Sequence, residues 1–143
     1  MQEDLALDQY RDLAELRRQI RRFLHFSEST TRAHGLEPQQ HQLLLAVHGL
    51  PEGVRPTIGE LASRMFIQHH SAVELVKRME LGGVVARVPG ETDRREVLVN
   101  LTPAGRAALH NLAIVHREEL NTSGPELAKA LQKVLRHAKK VAA

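Results

Sequence analysis

Cysteine is absent from the 143-residue sequence. This absence excludes disulfide bonds, thiolate nucleophiles, thiol-based redox sensing and zinc sites built on cysteine. It leaves the redox compartment undetermined, since neither a reducing nor an oxidising environment requires the residue.

Aromatic residues are scarce as well: they make up 3% of the chain, and tryptophan is missing. The hydrophobic fraction of 42% is nevertheless sufficient for a core, and a core of Leu, Val, Ala and Ile with few rings suits a mainly helical protein. No apolar run approaches the roughly 18 residues of a membrane span. Glu3, Asp4 and Asp8 precede any basic residue, which is unlike a signal peptide. We therefore expect a soluble, cytoplasmic chain without a membrane partner.

The sequence also lacks the usual signatures of an enzyme. It contains no glycine-rich phosphate loop and no pair of metal ligands at helical spacing, and the neighbouring His70 and Ser71 alone do not make a catalytic triad. We predict that the chain is not an enzyme and uses no cofactor. The net charge of +3 is mild and by itself says little about partners.

Apolar periodicity predicts helices over most of the chain and a single β-hairpin. Steps of three and four residues, with proline, glycine and capping signals, indicate helices near residues 7–33, 38–47, 57–65, 69–81, 103–120 and 125–141. A change to period two indicates strands at 84–88 and 96–101, with a polar tip at 89–95. Capping boxes mark two helix starts, Thr57 with Glu60 and Ser123 with Glu126. In the first, the side chain of each residue is expected to accept the backbone N–H of the other. The predicted fold class is mainly α with a small β-wing (α+β).

The third and fourth predicted helices are joined by about three residues, and the hairpin follows them. A helix held by another at a fixed angle, followed by a wing, is the arrangement that places one helix in the major groove of DNA. Arg94 and Arg95 lie at the wing tip, where an arginine can enter the narrow minor groove. The candidate DNA-binding residues of the fourth helix are Gln68, His69, His70, Ser71, Glu74, Lys77 and Arg78.

Each of these candidates also has an ordinary alternative. Glu74 can accept a hydrogen bond from a cytosine amino group, but pairing with Arg78 one turn later is the preferred interpretation. The alternative of a solvated surface side chain stays open for His69, His70, Lys77, Arg78 and Arg94.

Two stretches resemble the MarR family of winged helix-turn-helix transcriptional regulators. Residues 61–65 and 75–85 resemble the family's helix-turn-helix. Its wing signature, Asp-x-Arg, an alternating strand and then Leu-Thr-x-x-Gly, resembles Asp93-Arg94-Arg95 and the downstream Leu101-Thr102-Pro103-Ala104-Gly105. The resemblance implies one domain over residues 1–143: a winged helix-turn-helix lobe at 38–102, flanked by dimerisation helices at 7–34 and 103–141.

The resemblance also implies a function. Family members act as homodimers on palindromic double-stranded DNA, and many lose DNA affinity when a small aromatic or phenolic effector binds. The chain is therefore expected to be a ligand-responsive repressor, in which Asp93 braces the arginine of the wing and Arg95 enters the minor groove. The sequence departs from the family pattern at Glu74, where a basic or hydroxyl residue is common, and at Gly90, where the wing often has an acid. The family's peroxide-sensing cysteine is also missing.

Two other functions remain open on the sequence. A winged helix can be a protein–protein interaction module without a role on DNA, although the arginines of the wing argue against it. A metal-sensing regulator is the other alternative, because His41 and His110 lie in regions where zinc-responsive relatives of the family place ligands. Zinc needs three or four ligands, and His116, on a different side of its helix from His110, is not a convincing third. We therefore predict no metal site.

Overall fold

The computed structural model describes residues 4–142, with side chains described for residues 4–137. The elements in chain order are α1 (Leu7–Ala33), α2 (Pro38–His48), α3 (Ile58–Met65), α4 (His69–Leu81), β1 (Val85–Pro89), β2 (Val97–Leu101) and α5 (Pro103–Ala142). The two strands pair antiparallel, with Val85 opposite Leu101 and Pro89 opposite Val97. This arrangement confirms the predicted mainly helical fold with a small β-wing.

The chain divides into two compact units. The first, here called the lobe, comprises residues 30–113 and contains α2, α3, α4 and both strands. The second, here called the helix pair, consists of α1 up to Ser29 and α5 from Ile114 onward. None of the helices described over residues 4–142 is both long enough and apolar enough to cross a membrane.

The core of the lobe is built from the apolar faces that helical periodicity predicted. α4 buries Ala72, Leu75, Val76 and Met79, whose spacing of i, i+3, i+4 and i+7 places them on one face of the helix. Fully buried side chains from α2, α3 and β2 complete this cluster: Leu43, Leu44, Leu61 and Val99. Burial of a large apolar side chain contributes about 1.5–3 kcal/mol, so the cluster holds α4 firmly against α3 and the sheet.

α3 begins with only one half of the predicted capping box. Thr57 Oγ1 accepts the N–H of Glu60 at 3.1 Å, as predicted. The carboxylate of Glu60 does not reach back, because it accepts the Nε–H of Arg64 at 2.8 Å, and the Thr57 N–H donates to the carbonyl of Arg55. The expected reciprocal bond is therefore wrong: an arginine one turn later is a charged, stronger partner for the same carboxylate.

α5 is one continuous helix, so the prediction of two helices separated near residues 121–124 is wrong. The hydroxyl of Ser123 does not cap a new helix but donates to the carbonyl oxygen of Glu119 at 2.9 Å and to its carboxylate at 3.0 Å. Such bonds to the preceding turn are compatible with a continuing helix. Pro125 removes the N–H that would bond the carbonyl of Asn121, but Asn121 is exposed, so water can satisfy that group.

Polar contacts join α1 to α5 within the helix pair. Three pairs of side chains approach within 3.0 Å: Arg22 with Glu126, Asp12 with His137, and Ser27 with His116. The His116 ring also stands edge-on to two phenylalanine rings of α1, with centroid distances of 6.1 Å to Phe23 and 5.9 Å to Phe26. Large apolar side chains on both helices remain exposed in the described chain: Leu13, Ile20, Leu24, Leu131 and Leu135.

Candidate nucleic-acid interface

The turn between α3 and α4 consists of residues 66–68, as predicted. Phe66 ends α3 in the left-handed region, at φ 56° and ψ 42°, and the Ile67 N–H donates to the carbonyl oxygen of Ala62 at 3.1 Å. These features close the C-terminus of α3. The side chains of Met65 and Ile67 pack against the lobe core, so the turn fixes the position of α4 relative to α3.

The outer face of α4 carries the side chains that the sequence analysis selected. The buried stripe of α4 occupies one side of the helix, and the remaining positions therefore face away from the core. Exposed residues on this face are Gln68, His69, His70, Glu74, Lys77 and Arg78, and Ser71 beside them is half-buried. The structure thus brings all seven candidates of this helix together on one surface that offers both hydrogen-bond donors and acceptors.

The preferred partner of Glu74 was predicted wrongly. The carboxylate of Glu74 lies 3.8 Å from the Nζ atom of Lys77, three residues later, and not beside Arg78. At a helical surface both spacings bring side chains together, so sequence alone does not choose between them. Over residues 4–137, Arg78 makes no ion pair, and its exposed guanidinium group is available for other contacts.

The tip of the wing is closed by backbone hydrogen bonds around Gly90. The Gly90 N–H donates to the carbonyl of Glu96 at 2.8 Å, and the Glu96 N–H donates to the carbonyl of Asp93 at 3.1 Å. A Cβ atom at Gly90 would lie 2.5 Å from the carbonyl oxygen of Asp93, closer than atoms can approach without rearrangement. The departure from the family pattern at Gly90 therefore has a local cause, since only glycine fits this tight tip.

Asp93 and Arg95 are in direct contact at the tip. The Oδ1 atom of Asp93 accepts the backbone N–H of Arg95 at 3.0 Å and its Nε–H at 3.3 Å. The side chain of Arg95 is 93% exposed, and Arg94 beside it is exposed as well. The tip therefore presents two cations to solvent, one of them held by an adjacent carboxylate.

A second carboxylate connects the wing to α4. The Oε1 atom of Glu80 accepts from Nε and Nη2 of Arg87 at 3.1 and 2.9 Å, and its Oε2 atom accepts the Arg87 N–H at 3.2 Å. The hydrogen bonds from Arg87 lower the pKa of Glu80 below its usual value of 4.5. This pair fixes β1 relative to the end of α4. Sequence alone did not reveal this pair, because opposite charges seven residues apart across a turn follow no local pattern.

Strand β2 and the residue before it are attached to the segment that precedes α3. Arg55 Nη1 lies 2.7 Å from Glu96 Oε2, and the Val99 N–H donates to the carbonyl oxygen of Pro56 at 2.9 Å. These contacts join residues about 40 positions apart in the chain, so they also carried no sequence signal. Together with Glu80 they fix the wing on both sides to the helix-turn-helix.

The Leu-Thr-x-x-Gly part of the motif has a structural role. Thr102 Oγ1 accepts the Gly105 N–H at 3.1 Å and donates to the carbonyl of Gly83 at 2.6 Å. It therefore caps the start of α5 and also holds that start to the turn after α4. A Cβ atom at Gly105 would overlap the carbonyl oxygen of Val84. This glycine is required because α5 approaches the backbone at the start of the sheet so closely.

The histidines considered as metal ligands are not gathered into one site. His41 is buried in the lobe, His110 is exposed, and His116 belongs to the helix pair, where it contacts Ser27. Among the residues that the structure describes, no three His, Asp or Glu side chains are grouped in a way that holds a metal ion.

A sequence model described as the MarR family matches residues 34–96, which contain α2, α3, α4 and β1. The transcriptional activatory protein BadR of Rhodopseudomonas palustris is 37% identical over 81 residues, covering 57% of this chain and 46% of BadR. The chain spans about half the length of the curated relatives that it matches.

Solved structures share the fold over nearly the whole chain. AbsC, a MarR family transcriptional regulator from Streptomyces coelicolor, has a TM-score of 0.73 at 22% identity and covers 97% of this chain and 99% of its own. A second structure is that of BpsR of Bordetella bronchiseptica, whose DNA binding is regulated by 6-hydroxynicotinic acid. Its TM-score is 0.64 at 24% identity, and the match covers 87% of this chain and 89% of BpsR. The sequence match over residues 34–96, which is less than half of the chain, and the shared fold confirm the predicted resemblance to the MarR family.

Proposed function

We propose that this protein is a transcriptional regulator that binds a specific sequence in double-stranded DNA. The outer face of α4 lies along base edges in the major groove, and Arg95 enters the neighbouring minor groove. The observation that carries the proposal is that these two contact surfaces are fixed to each other within one lobe, directly through Glu80 and Arg87. A helix and a wing held at one spacing fit the regular spacing of successive grooves.

The side chains of α4 divide into two roles. Gln68, His69 and His70 lie at the N-terminal end of the helix, the part that contacts base edges in helix-turn-helix docking. Lys77 and Arg78 follow two turns later, where they hold phosphates independently of sequence. Arg94 adds a phosphate contact beside the wing tip. The carboxylate of Glu74 lies 3.8 Å from the Nζ atom of Lys77. It accepts a hydrogen bond from a cytosine amino group or neutralises the charge of that lysine.

The active form is a homodimer joined through the helix pair. Support comes from the large apolar side chains that this unit leaves exposed, among them Leu24 at 47% and Leu135 at 49%. Large apolar side chains that stay exposed along a helix usually mark a protein interface. A two-fold dimer binds a palindrome, with half-sites about 34–36 Å apart.

The dimer acts as a repressor that covers a promoter and is released by a small aromatic or phenolic acid. Support comes from BpsR, because 6-hydroxynicotinic acid regulates the DNA binding of that protein. The lobe contains a groove of about 520 Å³ whose lining combines apolar residues, including Val47, Leu50 and Val54, with the polar side chains of His48, Asn100 and Arg106. Nη1 of Arg106 donates to the carbonyl oxygen of Leu101 at 3.1 Å. The remaining donors of Arg106, in a lining without a carboxylate, suit an anion with an apolar body.

This groove is connected to the wing. Pro56 and Leu101 also line it, and the carbonyl of Pro56 accepts the N–H of Val99 in β2. An occupant therefore touches the joint between the wing and the helix-turn-helix. By linkage, DNA must lower the affinity for the effector by the same factor by which the effector lowers the affinity for DNA.

Selection of bound fragments from genomic DNA tests the DNA-binding proposal. Purified protein should enrich a palindrome, and its binding should weaken steeply as salt rises. Lys77→Ala should reduce the salt slope by about one unit on every sequence, whereas Lys133→Ala, an exposed control in the helix pair, should leave it unchanged. Failure to enrich any sequence, together with salt-independent binding, would favour a protein–protein module instead.

Two further measurements test the dimer and the effector. A monomer at micromolar concentration that still binds a palindrome tightly would overturn the proposed dimer. A panel of aromatic carboxylates should contain a compound that releases the operator from the wild type, and Arg106→Gln should bind the operator while resisting release. If no compound of the panel shifted the Tm of the protein or released it from the operator, the proposed effector would be wrong.

A further inference from the structure

Phe66 combines two unfavourable features in the turn between α3 and α4. Among the residues described, it is the only one other than glycine with a positive φ, at 56°. This conformation is unfavourable for residues with a Cβ atom, whereas glycine adopts it freely. Its side chain is also 95% exposed, the highest value among the large hydrophobic residues described.

Neither feature is explained by packing within the lobe. The neighbours Met65 and Ile67 direct their side chains into the core, while the ring of Phe66 points away from it. Glycine would close α3 with less strain and without exposing an aromatic ring. The side chain of Phe66 therefore has no structural role in the lobe, and a strained, exposed residue of this kind points to a function.

We propose that Phe66 determines specificity by contacting the C5-methyl group of a thymine in the major groove. This inference rests on the proposed function. In helix-turn-helix docking the second helix contacts base edges with its N-terminal residues, while the first helix crosses the backbone. Phe66 lies where these two elements meet, two residues before Gln68, which occupies the N-cap position of α4.

The chemistry of the groove favours this contact over the alternatives. A phenyl ring cannot donate a hydrogen bond to a phosphate or to a base edge, so it adds nothing to the polar contacts of α4. The thymine methyl is the apolar feature of the major groove, and phenylalanine is one of the side chains suited to contact it. Contact would remove the exposed ring from water, which compensates for its exposure in the free protein.

Deoxyuridine substitution tests the contact, because it removes only the methyl group. Operator duplexes carrying deoxyuridine in place of each thymine in turn, symmetrically in both half-sites, are compared with the unmodified operator. At one thymine position, the deoxyuridine substitution should weaken binding by the wild type about fourfold for each methyl group removed. Phe66→Gly should weaken binding to the unmodified operator about tenfold and should lose the deoxyuridine effect at that position.

Stability gives a second, independent measurement. Phe66→Gly should raise the Tm by about 2–4 °C, because it relieves the left-handed strain. Phe66→Asn, a polar residue that tolerates this conformation, should also lose the deoxyuridine effect. Leu81→Ala is the matched control: Leu81 is 89% exposed at the far end of α4, and its removal should leave the deoxyuridine effect intact.

Tight binding by Phe66→Gly, or a retained deoxyuridine effect, would overturn the inference. If that variant kept full affinity but lost regulation in a reconstituted transcription reaction, Phe66 would contact a protein partner and not DNA. If the wild type enriched no operator, the proposed function would fail and this inference with it. If the wild type and Phe66→Gly both bound the operator and lost the same affinity when the methyl group was removed, only the proposed role of Phe66 would be overturned.

Discussion

A single carboxylate oxygen of Asp93 accepts two hydrogen bonds from Arg95, at 3.0 Å from the backbone N–H and at 3.3 Å from Nε. The arginine side chain is otherwise solvated, with 93% exposure. Exposed ion pairs contribute only about 0–1 kcal/mol to folding, so the contact has little effect on stability. It does restrict an arginine that must lose side-chain freedom when it enters a minor groove.

We therefore expect Asp93 and Arg95 to act together on DNA. Arg95→Ala should weaken operator binding by about 5- to 100-fold and flatten the preference for A·T-rich flanks, where the minor groove is narrow and electronegative. Asp93→Ala should have the same effect by a smaller factor, although it removes a negative charge. Salt titrations on A·T-flanked and G·C-flanked duplexes measure both effects. Tighter binding by Asp93→Ala would show that bulk charge, and not bracing, governs the wing.

Glu80 should contribute to the pH dependence of stability. Its pKa is lower in the folded protein than the usual 4.5, so its stabilising contribution is present above pH 4.5 and is lost as the pH falls through the lower folded value. Glu80→Gln should therefore lower the Tm near neutral pH and match the wild type more closely near pH 3. Thermal unfolding at several pH values measures this difference.

Comparison with the wild type separates the contribution of Glu80 to the pH dependence of stability from the contributions of the other acidic residues. Hydrogen bonds from Arg18 and Gln19 lower the pKa of Glu15 in the helix pair to about 2, and that contribution is present in both proteins. Glu91→Gln, an exposed change at the wing tip, is the matched control and should not alter the curve. A constant Tm difference between Glu80→Gln and the wild type at all pH values would contradict the assigned role.

Gly105 should tolerate no side chain. Gly105→Ala places a Cβ atom on the carbonyl oxygen of Val84, and the backbone must shift, at a cost of about 1–3 kcal/mol. Gly59→Ala is the matched control, because nothing lies within 4 Å of a Cβ atom there and alanine favours the helix by about 1 kcal/mol. Denaturant midpoints at unchanged slope measure both variants. Equal stability of the two would show that the close approach at Val84 is not rigid.

Pro125 distinguishes a continuous α5 from two separate helices. In a continuous helix, Pro125→Ala restores the hydrogen bond to Asn121 and should stabilise the protein by about 1–3 kcal/mol. At the first position of a new helix, proline is favourable, and alanine would bring no gain. Pro103→Ala is the control, since Pro103 does follow a cap, Thr102, at the start of α5. Similar responses of the two variants would argue for a break in the helix.

Local patterns in the sequence were sufficient for the elements that carry the candidate site. The buried stripe of α4 and the three-residue turn before it follow from helical spacing, which depends only on neighbours in the chain. The Asp-x-Arg and Leu-Thr-x-x-Gly motifs placed the wing, and the contact between Asp93 and Arg95 spans two residues. The contacts of the candidate residues with DNA stay a prediction.

The tertiary structure decided which partner each charged group takes. Glu60 and Glu74 each had more than one partner within reach on the surface of its own helix, whereas Glu80 pairs with Arg87 in β1 and Glu96 with Arg55 before α3. Such choices depend on which side chains the fold brings together, and helical periodicity does not contain that information. In α5 the bond is local, from the hydroxyl of Ser123 to the preceding turn, but a serine followed by Gly-Pro-Glu also fits a helix start, so the local pattern did not show that the helix continues through Pro125. Sequence thus determined the elements of the lobe and the motif, while long-range packing determined how the wing is fixed to the helix beside it.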